Sequence, residues 1–163
     1  MKFAELSSVL IALLWVAESS IVFASDMSKE IAMNSASGNF EVKLTPLQPD
    51  DDPARKATLA RMSLEKQFSG ELNATSTGEM LACGDGTTSG AYVAIEKVTG
   101  SLAGRKGSFM LVHHGLMNRG TSQAWTVTVV PDSGTDELKG LTGTMKIVIE
   151  KGKHSYELAY RLE

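Results

Sequence analysis

An imidazole and a carboxyl group held together away from water can exchange a proton near neutral pH, and His113 and Glu96 are the pair in this sequence suited to that chemistry. Lys66 adds a third ionisable group. Burial lowers a lysine pKa and frees the amine to form a Schiff base or to fix a carboxylate, while the simpler role is an ion pair to Glu96. Ser76, Tyr92, His154, Tyr156 and Tyr160 could supply further polar contacts to a bound molecule, with Phe109 and Trp125 as apolar walls. The structural alternative is a hydrogen-bonded and ion-paired network that simply fills the interior.

The remaining motifs are weaker. Asp132-Ser133 beside a histidine invites a hydrolase triad, but no Gly-x-Ser-x-Gly elbow and no helix is present to support a nucleophile. A turn is the simpler account, with Asp132 and Ser133 capping backbone amides and Gly134 supplying a positive φ. Gly84-Asp85-Gly86 lacks the following helix that a phosphate loop needs. The one cysteine, Cys83, has no disulfide partner and no ligand cluster around it. No metal, nucleotide or haem motif is visible, so no cofactor is expected.

Positioning the polar set falls to strands. Phe40, Val42 and Leu44 alternate with Glu41 and Lys43, the period of a half-buried strand. Similar runs follow at about 60–69, 70–82, 90–102, 107–115, 124–131, 142–150 and 154–162, separated by glycines and polar clusters. Pro46 to Ala57, with Asp50-Asp51-Asp52, reads as an exposed loop, and residues 25–36 as a short arm before a domain spanning 37–163. Short connections imply antiparallel neighbours, and about eight strands suit a closed barrel wide enough for side chains or one small ligand. The expected class is therefore all-β, an antiparallel closed barrel.

Side chains two apart share a face, which assigns the polar groups. Lys66 goes with Met62, Leu64 and Phe68; Ser76 with Leu72, Ala74 and Met80; His113 with Phe109 and Leu111; His154, Tyr156 and Tyr160 with Leu158 and Leu162. Tyr92 to Glu96 has apolar groups on both faces and leaves its facing open. With Tyr92, Ala94, Glu96 and Val98 inward, every tyrosine and two of the three histidines point inside. His114 then points outward. Val93, Ile95, Met110, Val112, Val130 and Val148 also point outward, as a candidate subunit interface or a surface for the arm or the 46–57 loop.

The first 24 residues are of another kind. Lys2, the apolar run Val9 to Val16 and Val22-Phe23-Ala24 read as a cleaved signal peptide, which places the mature chain in the periplasm or outside the cell. The run is short for a membrane span of about 20 residues, although a retained anchor is the alternative. Loss of Lys2, Glu5 and Glu18 moves the formal net charge only from −3 to −2. No basic footprint for nucleic acid results, and no stable membrane insertion is expected once the segment is cut.

From Gly38-Asn39-Phe40-Glu41-Val42 to the C-terminus the chain resembles a bacterial family, Domain of Unknown Function 3224, whose fold is similar to the allene oxide cyclase barrel. The strongest stretches run from Ala91-Tyr92-Val93 to Val98-Thr99-Gly100, and over Gly107-Ser108-Phe109, Val129-Val130-Pro131-Asp132-Ser133-Gly134-Thr135 and Gly152-Lys153-His154-Ser155-Tyr156. Ser133-Gly134-Thr135, followed by Leu138, Gly140 and Gly143, also looks like a glycine-rich turn shared by allene oxide cyclases and plant dirigent proteins. The resemblance implies the barrel fold and oligomerisation, and no reaction. The leading functional expectation is a small, partly apolar organic molecule held in the barrel. A cofactor-independent isomerase or cyclase and a structural oligomer with a sealed core are its alternatives.

Overall fold

The computed structural model describes residues 32–48, 58–85 and 88–163. Eight antiparallel strands close into a barrel in up-and-down order: β1 (Asn34–Leu47), β2 (Ala60–Gly70), β3 (Leu72–Gly84), β4 (Gly90–Leu102), β5 (Arg105–Asn118), β6 (Thr121–Val129), β7 (Thr142–Glu150) and β8 (Lys153–Arg161). The pairing of β1 with β8 completes the ring, and closure removes the free sheet edge that an open sheet of this length would present. Three of the turns have two residues, Ala103-Gly104, Arg119-Gly120 and Lys151-Gly152, each with both at positive φ. That turn matches the twist of the strands it joins.

Both ends of β1 differ from the sequence pattern, and β5 and β6 reach about three residues further toward their shared turn than expected. β1 begins at Asn34, inside the stretch read as an arm, and Ala36 is fully buried. It also continues through Pro46 and Leu47, the first residues of the expected loop. β1 meets β8 only over Asn34–Phe40 but stays paired with β2 to Leu47, so Pro46 has a strand on one side alone, a setting that tolerates proline. The expected signal peptide, most of the expected arm, residues 49–57 and Gly86 lie outside the described residues.

The ambiguous run on β4 is settled by exposure: Ala94, Glu96 and Val98 are buried while Val93 and Ile95 are more than half exposed. A register shift between β5 and β6 falls at Leu116/Met117, beyond His113, and leaves the facing of the histidine undisturbed.

One end of the barrel is packed solid by Phe68, Leu72, Leu102, Phe109, Leu111, Tyr156 and Leu158, together with Leu138 and Leu141 from the β6–β7 connection. Each such side chain contributes roughly 1.5–3 kcal/mol on burial. Ser133 ties the connection to β5, its Oγ accepting from Met110 N at 3.0 Å and donating to Val130 O at 2.6 Å, and Thr135 N donates to Ser108 O at 2.9 Å. The serine is thus a capping residue, as its turn reading expects. Gly134, however, is not at positive φ; Asp132 and Asp136 are, at 58° and 52°. Glycine is needed at 134 because a Cβ would lie 1.9 Å from Leu138 O.

Candidate functional site

The opposite end is open. A cavity of about 210 Å³ enters the barrel there, walled by Phe40, Val42, Leu44, Leu64, Met80, Ala94, Ile147 and Ile149, with Lys66, Tyr92, His113, Trp125 and His154 as its polar or aromatic members. It shares Leu44, Met80, Tyr92 and Trp125 with a second hollow of about 380 Å³ that takes in Ala82, Cys83, Gly115, Leu116 and Met117. The two form a funnel.

Strand register builds its floor. Lys66 on β2 stands opposite Ser76 on β3; Gly78, two residues on, stands opposite Glu96 on β4; and Glu96 faces Leu111 on β5, two residues from His113. Diagonal neighbours at this spacing are within reach of long side chains. Lys66 Nζ donates to Glu96 Oε1 at 2.7 Å, His113 Nε2 lies 2.8 Å from the same oxygen, and Ser76 Oγ donates to Oε2 at 2.5 Å. All four residues are buried, Glu96 completely. Gly78 is the residue that sequence reasoning passed over, because a Cβ there would sit 2.1 Å from Ile95 O and 2.6 Å from Glu96 Cα.

Burial by itself would raise the Glu96 pKa, but the hydrogen bond from His113 and the charge of Lys66 outweigh it and hold the carboxyl at about 2. Burial pushes the Lys66 ammonium down, with Glu96 opposing. Phe40 and Phe68 give the ammonium aromatic faces, their centroids 5.1 and 5.7 Å from Nζ. Lys66 balances the charge of Glu96, and a carboxylate only accepts hydrogen bonds. His113 therefore completes the group by donating its Nε2–H.

The mouth is aromatic. Tyr92 and Trp125 both line it, and burial raises the pKa of the tyrosine. The Tyr92 ring lies over Gly115, where a Cβ would come within 2.2 Å of Cε1. Trp125 is 44% exposed, so it stands at the rim and not deep in the wall. His154 is partly buried and packs on Phe40 with ring centroids 5.1 Å apart.

Of the residues expected at the site, Lys66, Tyr92, His113, Trp125 and His154 meet in this cavity, with Glu96 and Ser76 behind its floor. Phe109, Tyr156 and Tyr160 do not; they belong to the packed end. Parity gives the face of a strand residue but not its height along the barrel axis, and these three sit too far toward the closed end. The Tyr156 hydroxyl instead accepts from Leu72 N at 2.8 Å and has the carbonyls of Ser37 and Ser69 at 3.2 and 3.3 Å. Besides Trp125, the walls are Phe40, Leu64 and Met80 among others, none of them assigned from sequence, although Leu64 and Met80 share parity with Lys66 and Ser76 and height could have been counted from the turns.

On the outer face Val93, Ile95 and Val112 are exposed neighbours, Ile95 directly opposite Val112, and Leu81 and Leu116 extend the patch. Met110 and Val130 are partly buried beside it, and His114 is exposed next to Val93. Val148 lies on β7, opposite Ser155 of β8, and is not part of the patch. Cys83 is exposed. Among the described residues no three His, Cys, Asp or Glu side chains are grouped to hold a metal ion.

No curated protein matches the chain. Among solved structures, the crystal structure at 1.84 Å resolution of a protein with unknown function from the DUF3224 family of Shewanella oneidensis MR-1 is 45% identical, with a TM-score of 0.73, and the match covers 81% of this chain and 98% of that one. The family model described as Protein of unknown function (DUF3224) matches residues 36–160, nearly the whole barrel, and the chain belongs to that family.

Proposed function

We propose that the open end of the barrel binds a small, partly apolar organic molecule, seated on Lys66 and His113 and walled by the aliphatic residues above them. The observation that carries this reading is a mostly apolar cavity of about 210 Å³ ending on two buried polar side chains. An apolar cavity of about 150 Å³ is enough for benzene, so the volume suits one ring with a substituent, and the wider hollow outside can take more. Export belongs to the same reading and rests on Lys2, the apolar run Val9 to Val16 and Val22-Phe23-Ala24.

Native mass spectrometry of the mature protein, purified from an exporting host, tests both parts. The expected result is a chain shortened near Ala24 with a small molecule bound, and loss of that molecule in Met80→Trp, which fills the cavity at its mouth. A ligand-free wild-type chain would turn the reading toward a structural barrel.

A second reading, an isomerase or cyclase without cofactor, draws on the Glu96–His113 hydrogen bond at 2.8 Å. Glu96, with its pKa at about 2, stays ionised near neutrality, so His113 would carry the proton and Glu96 would position it. Fold analogy alone supplies no chemistry. Turnover abolished in Glu96→Gln while binding persists would favour the enzyme, and unchanged turnover would exclude this role for Glu96.

A further inference from the structure

We infer that the molecule held in the cavity carries an uncharged hydroxyl group, which donates to Nδ1 of His113 and accepts from the ammonium of Lys66. The inference rests on the binding reading above and names the head group of the ligand.

Of the four residues in the buried cluster, only Lys66 and His113 line the cavity; Glu96 and Ser76 lie behind them. Nε2 of His113 is engaged with Glu96, which leaves Nδ1 for an occupant; a ring with its single proton on Nε2 offers a lone pair there. Lys66 has three N–H donors and gives one of them to Glu96. Its other neighbours within range are the faces of Phe40 and Phe68, which attract the charge without offering a lone pair in the plane of a hydrogen bond. The floor therefore presents one acceptor and a donor side by side. A hydroxyl is the smallest uncharged group that serves both.

Charge excludes the obvious rivals. Lys66 and Glu96 already balance, so a carboxylate would bring an uncompensated negative charge into a site with apolar walls, and it could not donate to Nδ1. An ammonium would set a second cation beside Lys66. A ketone leaves Nδ1 without a partner, and a hydrocarbon dries both polar groups while pairing neither.

The test uses the wild-type mature chain and three ring compounds of matched size: cyclohexanol, methylcyclohexane and cyclohexanecarboxylate. Affinities come from NMR titration, and the ring-nitrogen shifts of His113 are recorded at saturation. Cyclohexanol should bind tighter than either of the others by roughly 10- to 100-fold, the range set by one or two buried polar groups left unpaired. Its binding should move the Nδ1 resonance and leave Nε2 protonated.

Equal or tighter binding of methylcyclohexane or cyclohexanecarboxylate overturns the hydroxyl assignment while the cavity reading stands, and so does cyclohexanol bound with Nδ1 unmoved. If none of the three binds, the cavity reading fails and the assignment with it. His113→Leu should erase the preference for cyclohexanol over methylcyclohexane; a variant that keeps the preference also overturns the assignment. The wild-type shifts decide the matter even if that variant does not fold.

Discussion

Glu96 gathers a lysine, a histidine and a serine on its two oxygens with no water-exposed surface of its own, so its ionisation is coupled to folding. Its pKa is about 2 in the folded chain against 4.5 ordinarily, and a carboxyl lowered in this way stabilises the fold above its unfolded value and loses that contribution as pH falls toward the folded one. The expected loss, roughly 3 kcal/mol between pH 5 and pH 2, is readable by urea unfolding across that range. Lys66 does not enter there, because a lowered lysine changes stability only on the alkaline side. A Glu96→Gln chain that lost as much stability over the same range would show that other carboxyls cause the effect. At pH 7 Glu96→Gln should itself cost about 3–5 kcal/mol by leaving the Lys66 ammonium buried without its carboxylate. Adding Lys66→Met should recover much of that; additive losses in the double mutant would mean that the two charges do not depend on each other.

At the scale of elements, the residues that set the site are partly those with no side chain. Gly78 lets β3 and β4 approach behind Glu96, and Gly115 makes room for Tyr92. Neither role could be read from the chain, because it depends on which residue stands across the strand pair, and register was not yet known. The turns were legible because a positive φ is a local demand; Gly104, Gly120 and Gly152 all meet it. Gly115→Ala should displace the Tyr92 ring, which lies at the open mouth and can yield, so the ring protons of Tyr92 should shift in NMR with little loss of stability. Unchanged Tyr92 resonances would mean that the ring does not rest there. Tyr156→Phe should cost about 1–3 kcal/mol by leaving the buried Leu72 N–H unpaired, measured by urea unfolding; a neutral result would show that water replaces the hydroxyl.

For the molecule as a whole, alternation and short turns made the barrel legible, since a two-residue period and antiparallel neighbours admit few other closures. What stayed hidden was which end is filled. That depends on Leu138 and Leu141 in the β6–β7 connection, a segment without a period of its own, and on β1 starting early enough to bury Ala36. Height along the axis followed from these, which is why Tyr156 and Phe109 belong to the core and Lys66 to the cavity. The outer wall bears the last expectation. Leu81, Val93, Ile95, Val112 and Leu116 expose 39–55% of their surface on three adjacent strands, a contiguous apolar patch of a kind uncommon on monomers. The strands beneath are already hydrogen-bonded on both sides, so a partner cannot add a strand there and must meet the patch side chain to side chain. A second copy of the chain, related by a two-fold axis, brings the same apolar patch to the contact. Sedimentation of the wild-type chain at micromolar concentration should then give a dimer, and Ile95→Lys a monomer with its melting temperature nearly unchanged, since Ile95 lies outside the core. A wild-type monomer, or a variant that remains associated, would remove the patch as the subunit interface.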